Sequence, residues 1–285
     1  MTAATGPATS RVVSRDGTEI AVFSSGAGPP LVLVHGGLGD HTRWAALRPH
    51  LEPHVTVHAM DRRGRGASGD GPDYRPEREF EDVAAVVASV ADTAASDVAV
   101  YGHSYGGLCA FGAATLTSDI GRLVLYEGWP PIDPAAWAAP PGSLERLEEQ
   151  LAAGHRDQVL DTFLREFVRM SDQEIDAYRR EPSWQGRVAA AHTIIREERA
   201  FQQLAFDPEE AARIVVPTLL MIGEEQTLDW QAATVAAALP NARTSVLAGQ
   251  AHTADIVAPG LVAEQLLTFL DEQPGQLAVA TRDHA

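Results

Sequence analysis

Asp97-Val-Ala-Val-Tyr-Gly102-His103-Ser104-Tyr105-Gly106-Gly107 is the stretch on which the reading of the fold turns. Residues 97–101 are a short apolar run of strand character, and the small residues after Ser104 suit the first turn of a helix. Between them lies a G-x-S-x-G pentapeptide. A nucleophilic serine must stand at the tip of a turn so sharp that its own backbone is strained. Only residues without bulk fit two positions before it and two positions after it. A helix that begins there aims its first N–H groups at negative charge developing on a bound carbonyl oxygen. The pentapeptide alone arises by chance, and its strand–turn–helix setting is what makes Ser104 the candidate nucleophile.

Outward from this turn, short apolar runs alternate with longer helical patterns. Glu19–Phe23, Leu31–Val34, Val55–Met60, Arg122–Tyr126, Thr218–Ile222 and Thr244–Leu247 read as strands alongside Asp97–Tyr101. Glu77–Ala94 and Ala258–Leu270 carry apolar residues at helical spacing. This alternation predicts an α/β fold with a mostly parallel sheet and helices on both faces. From Trp129 to Pro208 the alternation stops. A Pro-rich passage leads into helical patterns only, with an apolar stripe at Val159, Leu160, Phe163, Leu164, Phe167 and Val168. Ser171 and Glu174 form a capping box that starts the next helix. Residues 1–128 and 209–285 therefore read as one core domain, and 129–208 as an inserted helical cap.

Two further stretches lie where a serine hydrolase would need them. His35-Gly36-Gly37-Leu38-Gly39 follows the Leu31–Val34 strand at once. A loop so rich in glycine lets a backbone N–H come close to a substrate oxygen. Gly37 is the natural donor there, and the Tyr105 amide is the second. His252 follows the last strand, in a loop from which a general base can reach a serine on another strand.

Composition removes other chemistries. The chain has 22 basic against 39 acidic residues, a net charge of -17, which repels nucleic acid backbones and anionic membranes. Every basic residue is Arg, so Schiff-base lysines and the phosphate-loop lysine are ruled out. Cys109 is the single cysteine, which excludes an internal disulfide and a thiolate zinc cluster. The first residues lack the basic start and apolar run of a secretory signal, and no apolar stretch approaches about 18 residues. A cytoplasmic enzyme acting on a small molecule is expected, with neither metal nor cofactor, and a homodimer stays open.

With these stretches quoted, the chain resembles the α/β-hydrolase superfamily. The resemblance rests on HGGLG (35–39), DRRGRGASG (61–69), GHSYGG (102–107), PTLLMIG (217–223) and GQAH (249–252). Within it the chain looks like cap-bearing esterases and lactonases. One position departs. Most members carry the triad acid three residues after the glycine that ends the Thr218–Ile222 strand, and here that residue is Gln226. Glu127, Asp229, Glu224 and Glu225 are the available replacements. Glu127 is favoured because it ends a buried strand beside the nucleophile strand, and because haloalkane dehalogenases and a zearalenone lactonase place the acid there. Asp61-Arg62-Arg63-Gly64 reads as a structural turn rather than a catalytic motif.

The resemblance implies hydrolysis of an ester or lactone through an acyl-enzyme on Ser104. Cofactor-free perhydrolysis with haloperoxidase activity, and C–C bond hydrolysis, use the same triad. A binding protein that has reused the fold without turnover is the reading from another class. Trp129, Trp137, Trp184, Phe163, Phe167 and Met170 are the cap's bulky residues, most of them expected to pack it onto the core. Trp129, Leu38, His103 and His192 are the expected substrate contacts.

Overall fold

The computed structural model describes residues 8–133, 139–181, 183–225 and 228–272. The strands are β1 (Ala8–Val13), β2 (Glu19–Gly26), β3 (Pro30–Val34), β4 (Thr56–Met60), β5 (Val98–His103), β6 (Ile120–Tyr126), β7 (Thr218–Gly223) and β8 (Ala242–Leu247). They form one sheet in the order β1-β2-β4-β3-β5-β6-β7-β8. The β1–β2 and β2–β4 pairs are antiparallel and the other pairs parallel.

Central β3 shows why a mostly parallel sheet forms. It is buried along its whole length, with Leu31 and Leu33 in one core cluster and Val32 and Val34 in the other. Alternate residues of a strand point to opposite faces, so both faces must be covered. One is covered by α2 (Pro76–Ala94) and α3 (Tyr105–Ala114), after the short α1 (Arg48–Leu51) on the other face. Val83, Val86, Val87 and Val90 make the buried stripe of α2. Edge strand β1 went unread in the sequence for a physical reason. It pairs only with β2 and its side chains are largely exposed, so it carries no apolar run.

After β6 the described chain is helical until β7. It holds α4 (Ser143–Ala152), α5 (Arg156–Glu166), α6 (Asp172–Arg179), α7 (Trp184–Ala190), α8 (His192–Phe201) and the short α9 (Pro208–Ala211). Val159, Leu160 and Leu164 from α5 pack with Leu147, Ile194 and Ile195 into a third apolar cluster, which also takes in Leu38 from the loop after β3. Ser171 immediately precedes α6, and its carbonyl accepts from the Ile175 N–H at 3.0 Å. The chain closes with α10 (Asp229–Ala238), α11 (Ala254–Val257) and α12 (Pro259–Asp271).

The parallel register lines up the strand ends. Val34 lies opposite Gly102, His103 opposite Tyr126, and Gly223 opposite Leu247. The loops carrying Gly37, Ser104, Glu127 and His252 therefore leave the sheet along one edge, where open α/β sheets place their ligands.

Candidate active site

Ser104 caps the N-terminus of α3 with φ 53° and ψ -129°, a strained conformation for a residue with a side chain. Its neighbours leave no room for bulk. A Cβ on Gly106 would lie 2.3 Å from the carbonyl oxygens of both Val34 and His35, and one on Gly102 would lie 2.6 Å from that of Gly106. The backbone fixes the turn. The Ser104 N–H donates to the Tyr126 carbonyl at 2.9 Å, and the Ser104 carbonyl accepts from Gly107 at 2.8 Å. As the first residue of α3, Tyr105 has an N–H with no acceptor inside the helix. Its side chain is engaged elsewhere. The ring lies under the Arg62 guanidinium at 4.7 Å, and the hydroxyl meets that of Tyr74 at 3.0 Å.

Glu127 follows β6 with φ 46°, a second non-glycine residue in the left-handed region. Its carboxylate is fully buried. Oε1 accepts from the Gly223 N–H at 2.7 Å, and Oε2 accepts from Nδ1 of His252. Asp229, Glu224 and Glu225 are exposed, and Glu224 is taken up by the Gly249 N–H at 2.7 Å. Of the four carboxylates weighed from the sequence, Glu127 is the one on the histidine. Gln226 lies outside the described residues, as does Trp137.

The loop bearing His252 is clamped on three sides. Nε2 of His103 donates to the His252 carbonyl at 2.8 Å, and the Tyr126 hydroxyl donates to that of Ala251. Beyond them, Asp255 receives Arg43 in a two-point pair at 2.9 and 2.7 Å. Burial, then Arg43 and His252, push His103 well below the usual imidazole range, so its ring is neutral. The Arg43–Asp255 pair joins residues 212 apart in the chain, and nothing in the sequence signals it.

Ser104, His252, Glu127, Gly37, Leu38, Tyr105, His103 and Trp129 all line one cavity of about 240 Å³. Leu38 is 3% exposed, with φ 66°. Phe163, Phe167 and Met170 line it from the cap, whereas Trp184 packs inside the cap. His192 does not come to the cavity. It starts α8, with Nδ1 3.0 Å from the Ala189 carbonyl.

The family follows from these features and from the sequence around them. A model of the alpha/beta hydrolase family matches residues 31–265. The chain belongs to that family. A solved alpha/beta hydrolase from Sphaerobacter thermophilus is 37% identical, with a TM-score of 0.79 over 92% of this chain and 100% of that one. A hydrolase from Pseudomonas aeruginosa is 26% identical, with a TM-score of 0.75 over 93% and 98%. The chain is also 27% identical to a non-heme haloperoxidase of Rhodococcus erythropolis, over 91% of its own length and 98% of that protein.

In this hydrolase the Asp61-Arg62-Arg63 stretch packs against the glycine-rich loop after β3. Asp61 accepts from the amides of His41 at 2.6 Å and Ala67 at 2.7 Å. Arg62 is held in a two-point pair by Glu79 at 2.7 Å, and Arg63 likewise by Asp82 at 2.6 Å. His35 accepts the Arg62 N–H on Nε2 at 3.0 Å. Burial, with the Arg62 and Arg65 charges, lowers it to about 3. The sequence did not reveal Glu197 of α8, which pairs with both Arg62 and Arg65. Its Oε2 would lie 3.3 Å from a Cβ on Gly37. Three arginines in a buried turn do call for carboxylates, but nothing local says which. Among the described residues, no helix is long and apolar enough to cross a membrane.

Proposed function

We propose that this chain is a serine hydrolase that cleaves an ester or lactone of a small, uncharged and largely apolar molecule through an acyl-enzyme on Ser104. The observation that carries the reading is the Glu127 carboxylate on Nδ1 of His252, beside a strained serine on the same cavity. With Nδ1 donating to Glu127, Nε2 is the ring nitrogen available to take a proton.

Ser104 Oγ attacks the acyl carbonyl as its proton passes to His252. The Gly37 and Tyr105 amides hold the oxyanion, and loss of one such donor typically costs about 10²–10³ in rate. The imidazolium gives its proton to the departing alcohol, and Glu127 stabilises the charged ring meanwhile. Water then attacks the acyl-enzyme with His252 as base, releasing the acid and restoring Ser104. Arg62 and Arg65 offset the negative charge of Glu197 beside the oxyanion loop. The small volume and the apolar wall from Leu108, Trp129, Phe163 and Phe167 favour a compact substrate. The net charge of -17 disfavours polyanionic ones.

Likeness to the Rhodococcus haloperoxidase favours one second reading. In that reading hydrogen peroxide attacks the acyl-enzyme in place of water, and the acyl group is released from Ser104 as a peroxyacid. Peroxide-dependent halogenation in acetate buffer measures it directly.

The deciding experiment is intact-mass spectrometry after treatment with a fluorophosphonate. One adduct on the wild type and none on Ser104→Ala is expected. A folded wild type that stays unmodified would overturn the reading, and a ligand binder without turnover would take its place.

A further inference from the structure

Most polar atoms around the cavity are engaged or out of reach. Arg43 is held by Asp255 and by the Tyr178 hydroxyl at 2.7 Å, and Arg187 by Glu181 at 2.8 Å. Nε2 of His103 is on the His252 carbonyl. Nδ1 of His103 and Oε1 of Gln231 have no partner, but both atoms are sealed from any molecule in the cavity. Glu197 is different. Its Oε1 is shared by Arg62 and Arg65, whereas its Oε2 has no hydrogen-bond partner among the described residues and is not sealed.

The position of that open oxygen is well defined. Glu197 and Phe201 line the cavity from the inner face of α8, while Arg199 on the outer face stands in water. A Cβ on Gly37 would lie 3.3 Å from Oε2 and, chain neighbours aside, would meet no other atom within 4 Å. The space in front of Gly37 is therefore open except for this carboxylate oxygen. With the Gly37 N–H on the carbonyl oxygen of a bound ester, Oε2 stands beside the substrate atoms next to that carbonyl.

Charge decides the kind of group it would meet. Arg62, Arg65, Glu79 and Glu197 form a buried set of two guanidiniums and two carboxylates. Such a set has no net charge to attract a cation, yet a carboxylate oxygen within it is still a strong acceptor for a neutral O–H. Oε1 alone serves both arginines, and a largely desolvated Oε2 without a donor is costly to keep. A donor that arrives with the substrate accounts for it.

Resting on the serine-hydrolase reading, we propose that Glu197 sets specificity by accepting, on Oε2, a hydrogen bond from a hydroxyl on the carbon next to the scissile carbonyl. The preferred substrate is thus an α-hydroxy ester or lactone. A site built to hold such a hydroxyl discriminates against the analogue without it, because the acceptor is then left unpaired.

The test compares kcat/KM for both enantiomers of ethyl 2-hydroxybutyrate, ethyl 2-fluorobutyrate and ethyl 3-hydroxybutyrate. Fluorine is close to a hydroxyl in size and withdraws electrons at least as strongly, but it has no proton to donate. The 3-hydroxy ester moves the donor one carbon away. The wild type is expected to prefer one enantiomer of the 2-hydroxy ester over both other esters by about 10- to 100-fold. Glu197→Gln keeps an oxygen for the arginines but turns an N–H toward the cavity, and should bring these ratios close to one. Glu197→Asp keeps the charge but withdraws the oxygen, and should lower them as well. A residue that only holds the cap would slow all three esters together and leave the ratios intact. Circular dichroism and fluorophosphonate labelling report the folding of each variant. A wild type that turns over the 2-hydroxy ester no faster than the other two overturns the inference, whatever the variants do. So does a folded variant that keeps the preference, and so does a labelled wild type that turns over none of the three. No turnover together with no fluorophosphonate adduct on the wild type fails the serine-hydrolase reading itself, and the inference with it.

Discussion

Arg43 in the core and Arg199 in the cap each face a carboxylate, but in different surroundings. The side chains of Arg43 and Asp255 are 4% and 0% exposed, whereas those of Arg199 and Glu148 are 58% and 37% exposed. Other pairs divide in the same way by depth. Buried charge pairs such as Arg62–Glu79 and Arg63–Asp82 fix loops beside the cavity, while pairs such as Arg146–Glu166 and Arg179–Asp161 sit half in water on the cap. Removing one member of a buried pair strands a charge, while an exposed pair is easily replaced by water. Packing within the cap rests mainly on its apolar stripe. Burying each of Val159, Leu160 and Leu164 contributes about 1.5–3 kcal/mol, more than any exposed ion pair. Rigid positioning is concentrated where the chemistry would occur.

The sharpest test of that contrast is Glu127→Gln. An uncharged amide still fits between Gly223 and His252 but no longer favours the charged imidazole. The kcat for ester hydrolysis is expected to fall by about 10⁴, with little change in the denaturation midpoint. Asp229→Asn, at the exposed start of α10, should leave kcat where it was. If the two variants exchanged these outcomes, the site would have been misassigned.

The Ser104 turn and Glu127, the candidate acid, differ in how much of them can be read from the chain. Strand, turn and helix around Ser104 are local, and each glycine has a steric reason that a sequence displays. The acid has no such signature. Glu127 is one carboxylate among 39 acidic residues, and its role depends on the alignment of β6 beside β5 and β7. The helices of the insertion were legible by periodicity. That α8 would lower Glu197 between Arg62 and Arg65 was not, because that pairing spans more than 130 residues. His192 opens the same helix, and its Nδ1 meets the Ala189 carbonyl, away from the cavity. Edge strand β1 escaped because solvent on its exposed sides removes the apolar alternation by which strands are recognised.

A second, smaller effect tests the energetic half of the contrast. Asp255→Asn should cost about 3–5 kcal/mol in chemical denaturation, since Arg43 would stay buried without its counter-charge. Arg199→Ala should cost under about 1 kcal/mol. Equal losses would mean that the cap's ion pairs hold it as firmly as the buried pairs hold the core.

The mildest expected effect concerns pH. The carboxyl of Glu198 is raised from an ordinary 4.5 to about 8 by burial and by Glu197. The folded chain therefore keeps a proton that the unfolded chain releases, and this group lowers stability as pH rises from 4.5 to 8. Glu198→Gln removes that loss. Its melting temperature should match the wild type near pH 4 and exceed it by on the order of 3 °C at pH 8. A gap that did not grow with pH would place the carboxyl in water instead.

Glu197 also bears on how molecules come and go. Lifting α8 away would pull its carboxylate from two guanidiniums that are both essentially sealed from solvent. The ion pairs that join α5 to α6, Arg165–Asp172 and Arg179–Asp161, are by contrast half in water and add little. The roof over the cavity is thus pinned at α8, and any route for a small molecule that lifts this helix strands a buried charge.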